Sequence, residues 1–348
     1  MKREFLYSIL NLNFKKLNYI LLFVFFFFTA CRPEASRYLT VGAYTAPREA
    51  LREINRLFEK KWKAKTGEKV YVQASYLGSG AQSRAVVDGF EADVVVLSLD
   101  TDIERIEQAG LMTHNWRATP FGGILTHSLV VFAVRRGNPK KIQDWDDLIK
   151  KDIKVLTPNP KTSGGAQWNV LAAYGAAKRG KVEGFSADEK SAGLFLKKLL
   201  QQVVAMDKGA RESILTFERG LGDVALSYEH EVIEGQINGQ KYEKVIPSST
   251  ILIENVVALV DKNIATHQNR DLAEAYYEFL YSDLAQYILA RHGFRPLHPK
   301  VKTKMQNKFP SPQDVFSIRY FGGWQQAIPE FFGEKGIFTQ TAESSYQK

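Results

Sequence analysis

The run Asp93–Leu97 constrains the fold most, because four aliphatic residues follow one another in it without alternation. Such a run is typical of a strand that is buried on both faces of a parallel sheet. Two strand-like segments, Tyr38–Ala43 and Val70–Ala74, precede it, and each leads into a segment whose apolar residues have helical spacing. This order of strands and helices predicts a doubly wound α/β sheet.

The alternation of strands and helices continues along the rest of the chain. Further strands are predicted at Leu129–Val134, Ile153–Thr157, Val203–Met206, Val224–Ser227 and Asn255–Val260, and further helices at Ala166–Ala177, Ser191–Gln202, Asp271–Tyr281 and Asp283–Arg291. At 348 residues, a single hydrophobic core becomes inefficient. We therefore expect an α/β protein of two lobes, with a chain that crosses between the lobes more than once.

The N-terminus carries a short apolar segment, Leu17–Phe28, behind a basic stretch. About 12 residues are too few to cross a bilayer, but they fit the core of a signal peptide. The next residues end at Cys31, the only cysteine in the chain, and the string Phe28–Cys31 resembles a bacterial lipobox. We expect residues 1–30 to be a signal peptide, Cys31 to carry a lipid and residues 31–37 to form a tether. An ordinary buried cysteine is the other interpretation.

The charge of the chain is positive overall, with a formal net charge of +9. This surplus suits an anionic ligand or a membrane surface, and it suits equally a basic surface that has no partner. Nucleic-acid binding would require a clustered basic stripe with interleaved aromatic residues, and the sequence shows no such stripe. We expect no nucleic-acid partner.

Four turns rich in glycine and hydroxyl residues each open a predicted helix: Tyr44–Pro47, Gly78–Gly80, Thr162–Gly165 and Lys208–Ala210. The first N–H groups of a helix lack internal partners, and the helix dipole adds partial positive charge there. Each turn by itself is an ordinary helix cap. Because ligands of open α/β sheets bind at the carboxyl ends of the strands, several such turns can converge on one anion.

An enzyme is the competing class of function. Ser79 and Ser163 are candidate nucleophiles, but neither lies in a Gly-x-Ser-x-Gly elbow. The six histidines show no metal-ligand spacing, and no glycine-rich nucleotide motif is present. We therefore expect a binding protein without catalytic residues, metal or cofactor, and a serine-dependent hydrolase is the less favoured alternative.

Several strings, in order along residues 38–335, closely resemble the periplasmic sulfate- and thiosulfate-binding proteins. The most specific is Thr157–Ala166. The others are Gly78–Ser83, Glu91–Leu97, Val134–Lys140, Trp145–Ile149, Gly209–Arg211, Glu218–Val224 and Phe321–Trp324. This family is the substrate-binding component of ABC importers. The resemblance implies the two-lobed periplasmic-binding-protein (type II) architecture, in which each lobe is a doubly wound mixed sheet flanked by helices.

The resemblance also implies a set of anion ligands, almost all of them neutral donors. Backbone N–H groups are carried over to Thr45, Ser79, Gly164, Gly165 and Ala210, and hydroxyl groups to Ser79 and Ser163. A tryptophan of sulfate binders corresponds to Tyr228, whose phenol donates from a different position than an indole. Thr45 stands where many members have aspartate, a change that a backbone contribution tolerates.

The function implied by the resemblance is capture of sulfate in the periplasm, or at the extracytoplasmic face of a membrane, and delivery to the permease and ATPase subunits of an ABC importer. Thiosulfate, molybdate and phosphate are the alternative ligands. We expect a monomer that is attached to the membrane by its lipid. The first lobe is expected to comprise residues 38–133 and 253–348, and the second lobe residues 134–252.

Overall fold

The computed structural model describes residues 36–346. The predicted signal peptide (1–30), Cys31 and most of the predicted tether therefore lie outside the described residues. No helix within the described range combines the length and the apolar composition that a membrane span needs.

The first half of the described chain alternates strands and helices as the sequence predicts. Its elements are β1 (Arg37–Tyr44), α1 (Arg48–Thr66), β2 (Val70–Leu77), α2 (Ser79–Val87), β3 (Val94–Leu97), α3 (Asp100–Gln108), β4 (Ile124–Arg135), a 3-10 turn (Trp145–Ile149), β5 (Val155–Pro158) and α4 (Gly164–Lys178). Strands β1, β2 and β3 pair in parallel, with β1 in the middle. The aliphatic run after Asp93 is indeed a strand, β3, and all four of its residues are buried.

The second half of the chain completes the sheet and ends in helices. Its elements are α5 (Glu189–Gln201), β6 (Val203–Asp207), α6 (Ala210–Glu218), β7 (Val224–Tyr228), α7 (Glu229–Ile237), β8 (Tyr242–Val245), β9 (Ser249–Leu259), α8 (Asp261–His267), α9 (Arg270–Leu280), α10 (Asp283–Arg291), α11 (Pro299–Lys304), β10 (Asp314–Phe316), α12 (Trp324–Ala327) and α13 (Ile337–Tyr346). Short 3-10 turns at Gln306–Lys308 and Ile318–Phe321 and a π-helical turn at Ile328–Phe332 connect the last of these elements.

The strands form two parallel groups that are joined by two long antiparallel strands. The order is β2-β1-β3-β9-β4-β7-β5-β6, with β8 beside β4 and β10 beside β9. Strand β4 pairs with β9 up to Leu129 and with β7 from Val130 onward. Because β9 also pairs with β3 of the first group, the pair β4 and β9 is the structural connection between the two predicted lobes.

Both groups of strands are covered by helices on both faces, as a doubly wound sheet requires. In the first group, Phe58 of α1 and Tyr276 of α9 pack on one face, and Ile103 of α3 packs on the other. In the second group, Trp168 of α4 lies on one face and Phe217 of α6 on the other. Each group therefore has its own apolar core.

The C-terminal segment packs on the second group of strands, although the sequence analysis assigns it to the first lobe. Trp324 meets Trp168 of α4 edge to face, with ring centroids 4.5 Å apart. Phe331 meets Tyr174 in the same manner, at 4.9 Å. Phe316 and Phe321 belong to the same buried cluster. We therefore propose that residues 314–346 belong to the second lobe, while the lobe boundaries themselves stay a prediction.

This packing depends on Gly175, which faces the C-terminal segment from α4. A Cβ atom there would lie 2.5 Å from Phe316 and 3.0 Å from Phe321. We expect Gly175→Ala to lower the free energy of unfolding by about 1–3 kcal/mol, the usual cost of overpacking, and to expose residues 314–346 to limited proteolysis. Denaturant unfolding and mapping of the cleavage sites check this.

Gly193 is the matched control, because it also lies within a helix, α5, and a Cβ atom there meets nothing within 4 Å. Gly193→Ala should stabilise the protein by up to about 1 kcal/mol through helix propensity. Equal stability changes in the two variants would show that the contact of Gly175 with Phe316 does not hold the segment.

Candidate functional site

A cavity of about 490 Å³ lies between the two groups of strands, at the ends of β1, β2, β6 and β7. All seven residues to which the sequence analysis assigns anion binding line it: Thr45, Ser79, Ser163, Gly164, Gly165, Ala210 and Tyr228. The first two belong to the first group of strands and the other five to the second. The fold therefore brings together residues that are up to 183 positions apart in the sequence (228 − 45).

Four helices begin at the wall of this cavity. Helices α1, α2, α4 and α6 start at Arg48, Ser79, Gly164 and Ala210, and each of these residues lines the cavity. Their first N–H groups have no carbonyl partner within the helix, and the four dipoles place partial positive charge at the same space. An anion is the ligand that such an arrangement favours.

Helix α4 begins with two residues that have no side chains, Gly164 and Gly165, and both line the cavity. A Cβ atom at Gly165 would lie 2.7 Å from Cε2 of Tyr228 and 3.2 Å from Cβ of Ala210. A Cβ atom at Gly164 would lie 3.1 Å from both Leu99 and Ser98. Glycine at these positions therefore lets the start of α4 pack closely against its neighbours on both sides of the cavity.

The hydroxyl group of Ser79 is engaged away from an anion. It donates to Oδ2 of Asp102 at 2.5 Å and accepts from the backbone N–H of Ser98 at 2.9 Å. The hydroxyl proton of Ser79 therefore points to Asp102. The hydroxyl that the resemblance assigns to the anion is thus engaged with Asp102 in this structure, and anion binding by Ser79 stays a prediction.

Ser163 is differently placed, as the N-cap of α4. Its oxygen accepts from the N–H of Ala166 at 3.4 Å, so its proton stays available to the cavity. The two predicted serine donors thus differ in this structure. The hydroxyl proton of Ser79 is engaged by Asp102, and that of Ser163 is available.

Tyr228 is almost fully buried and its hydroxyl lies 2.7 Å from Oγ of Ser98. Burial raises the pKa of this phenol well above its ordinary value, so the group keeps its proton and can act as a donor. Its ring packs over the ring of His230, with centroids 4.8 Å apart. Burial lowers the pKa of His230 to about 3, so the imidazole behind the tyrosine is neutral.

Four charged side chains also line the cavity: Arg48, Arg84, Lys208 and Glu212. The guanidinium group of Arg48 lies over the ring of Tyr76, 5.1 Å from its centroid. Lys208 belongs to one of the four predicted turns, whereas no sequence pattern points to Glu212. Arg211, which also adjoins a turn, contacts Glu231 at 3.4 Å instead and does not line the cavity.

The sequence reasoning also missed Ser98, which lines the cavity and follows β3 directly. Its position after a buried parallel strand is the signal that could have found it, because strand ends of this kind face the ligand crevice. A hydrolase gains no support from this geometry. Within residues 36–346, neither Ser79 nor Ser163 forms a hydrogen bond with a histidine.

A two-part α/β protein with a donor-lined cavity between its parts is of the solute-binding class, and comparisons with known proteins agree. The family model for bacterial extracellular solute-binding proteins matches residues 39–295. A sulfate-binding protein of Synechococcus elongatus is 41% identical over 308 residues, which cover 88% of this chain and 87% of the relative. The sulfate-binding protein of Escherichia coli is 40% identical, covering 86% and 92%.

A thiosulfate-binding protein of Escherichia coli is 38% identical over 302 residues, which cover 85% of this chain and 88% of the relative. Among solved structures, the sulfate-binding protein SubI from Mycobacterium tuberculosis superimposes with a TM-score of 0.78 at 36% identity, covering 85% of this chain and 99% of that one. This likeness confirms the predicted fold class. The chain belongs to the bacterial extracellular solute-binding proteins, in the group that includes the sulfate- and thiosulfate-binding proteins.

Glu231, beside the cavity wall, gives the fold a pH dependence that can be measured. It is almost fully buried, and burial raises its pKa from 4.5 to about 7 despite the opposing effect of Arg211. The folded protein therefore holds a proton that the unfolded chain has released between these two values, so the contribution of Glu231 to stability falls as the pH rises through this window.

We expect Glu231→Gln to remove this decrease in stability with rising pH. The free energy of unfolding of the variant, relative to that of the wild type, should therefore increase between about pH 5 and about pH 8. Denaturant unfolding at a series of pH values measures the difference. The exposed carboxylate Glu274 supplies the control, Glu274→Gln. If the difference between Glu231→Gln and wild type stays constant with pH, the carboxyl group of Glu231 does not titrate in this window.

Proposed function

We propose that this chain captures sulfate outside the cytoplasm and delivers it to an ABC importer after two lobes close over the anion. The observation that carries the proposal is the convergence of four helix N-termini on one cavity. The sulfate-binding names of relatives about 40% identical support the same ligand. Lobe closure is supported by the position of the cavity between two groups of strands that β4 and β9 join.

The donors around the cavity suit a dianion without a formal counter-ion in contact. Burying such a charge is prohibitive unless hydrogen bonds replace its water. The proposed donors are the backbone N–H groups of Thr45, Ser79, Gly164, Gly165 and Ala210, the hydroxyl of Ser163, and Tyr228. Arg48, Arg84 and Lys208 add positive potential at the wall, which speeds the approach of an anion.

Thiosulfate is the alternative that the comparisons favour most, since relatives of both kinds have similar identity. Molybdate and phosphate have the same tetrahedral shape. Phosphate retains a proton at neutral pH and needs an acceptor, and Glu212 is a carboxylate that lines the cavity. If the carboxylate of Glu212 faces the anion, it favours protonated phosphate and disfavours sulfate. We therefore propose that this carboxylate points away from the oxygens of the bound sulfate.

The anchor and the partners are further parts of the proposal. We place the mature chain on the extracytoplasmic face of a membrane, held by a lipid on Cys31, as a monomer that meets the permease and ATPase subunits of the importer. The family membership supports an extracellular location, and the lipid anchor rests on the lipobox-like string alone. No enzymatic activity is part of this function.

Ser163→Ala tests the ligand site. A hydrogen bond to a charged acceptor contributes about 1.5–3 kcal/mol, so loss of this hydroxyl should weaken sulfate binding about 10- to 150-fold. Isothermal titration calorimetry in sulfate-free buffer measures the affinity. Competition with thiosulfate, molybdate and phosphate on the wild type then ranks the ligands. Stronger binding of any of these than of sulfate would replace sulfate as the proposed substrate.

Ser282 provides the matched control, because it caps α10 through the same contact, a bond from Ala285 N–H to its oxygen at 3.3 Å. Ser282→Ala should lower stability by about 1 kcal/mol, as removal of a helix cap does, and should leave the sulfate affinity unchanged. If both variants bind sulfate like the wild type, Ser163 is a helix cap and not a ligand.

Cys31→Ser tests the anchor. Because only a cysteine can carry the lipid at this position, the substitution should move the protein from the membrane fraction to the soluble fraction, or leave a precursor that retains residues 1–30. Fractionation and mass spectrometry of the N-terminus measure both results. Unchanged fractionation with unchanged processing would leave Cys31 as an ordinary cysteine.

A further inference from the structure

The pair Ser98 and Tyr228 connects the two walls of the cavity. Ser98 follows β3 in the first group of strands, and Tyr228 ends β7 in the second group. Their hydroxyl oxygens are 2.7 Å apart, and both side chains are buried while lining the cavity. The bond joins residues 130 positions apart, so it reports on how the two walls meet and not on local chain geometry.

Ser98 is held in place by two further hydrogen bonds, and a third bond fixes the partner of one of them. Its N–H donates to Oγ of Ser79 at 2.9 Å, and Ser79 in turn donates to Asp102. Its carbonyl oxygen accepts from the indole Nε1 of Trp168 at 3.3 Å. Trp168 belongs to α4, so Ser98 contacts the second group of strands through its backbone as well. Only its hydroxyl can change direction.

The two hydroxyl groups carry two protons and share one hydrogen bond. If Tyr228 donates to Ser98, the proton of Ser98 is available to a ligand; if Ser98 donates, the proton of Tyr228 is available. In both arrangements one hydroxyl proton remains available to a ligand in the cavity. The other proton forms the bond between the two hydroxyl groups and so holds in place the oxygen that donates to the ligand. Neither hydroxyl needs a third partner when an anion is bound.

We propose that Ser98 is an anion-binding residue and that it acts with Tyr228 as one hydroxyl pair, which offers a single donor to the ligand and holds the two cavity walls together. The assignment rests on the proposed function and extends its ligand set by one residue. It also gives Tyr228 a defined role: its phenol contributes through the pair and not as an isolated donor.

The variants Ser98→Ala, Tyr228→Phe and the double substitution test the pair. Loss of either hydroxyl breaks the mutual bond, and loss of the ligand-facing hydroxyl also removes the donor. We expect the more affected single variant to bind sulfate about 10- to 100-fold more weakly than the wild type. The other single variant should show a smaller loss of sulfate affinity. The double variant should bind sulfate no more weakly than the more affected single variant. Calorimetry measures the four affinities.

The exposed residues Ser186 and Tyr320 lie away from the cavity, so Ser186→Ala and Tyr320→Phe are matched controls that should bind like the wild type. Two results would overturn the pair: additive effects of the two substitutions, or a Ser98→Ala variant with wild-type affinity. Thermal unfolding without anion verifies that each variant is folded.

A second measurement separates this inference from the proposed function. Small-angle scattering at saturating sulfate, where the proposed function has the lobes closed, should show a larger radius of gyration for Ser98→Ala and Tyr228→Phe than for the wild type, because a bond between the walls is lost. If the wild type binds no tetrahedral oxyanion, the proposed function fails, and this comparison still decides whether the pair joins the walls. Identical scattering in all forms would refute that role.

Discussion

The N–H groups at the starts of four helices, which lack carbonyl partners within their own helix, are the constraint on which the rest of the structure depends. They can face one cavity only if the strands before them end at the same edge, and parallel strands such as β1 and β2, or β5 and β6, provide that edge. Two such groups must then face each other. The antiparallel strands β4 and β9 achieve this because β9 pairs with β3 of the first group, β4 pairs with β7 of the second group, and β4 and β9 pair with each other.

The chain supports this arrangement with small residues at the cavity and large ones behind it. Gly165 lets the start of α4 approach Tyr228 and Ala210. Trp168, four residues into α4, is completely buried against Trp324. A helix that presents its N–H groups to a ligand must not shift when the ligand binds or leaves. The aromatic cluster on the C-terminal segment gives α4 a fixed position, so the start of the helix needs no side chains of its own for support.

Local sequence patterns predict much of this fold, but they do not predict its long-range contacts. The apolar run in β3 and the glycine turns before α2 and α4 are visible in a few consecutive residues, and the structure has both. The hydroxyl of Ser79 has no such local signal, because its partner Asp102 is 23 residues away. Ser98 has a local signal in its position directly after β3, but nothing near it in the sequence indicates its partner Tyr228, which is 130 residues away. The docking of residues 314–346 depends likewise on a contact with Gly175, which no periodicity can indicate.

The different positions of Arg211 and Lys208 show how the fold selects the charges that a ligand meets. Both adjoin the start of α6, yet Arg211 contacts the buried carboxyl group of Glu231 and only Lys208 lines the cavity. A guanidinium group in direct contact would bind an anion more tightly than a neutral donor does. A protein that must release its ligand to a transporter gains from donors that are neutral and numerous. Because Arg211 contacts Glu231 and does not line the cavity, one guanidinium group fewer meets the ligand beside Arg48, Arg84 and Lys208.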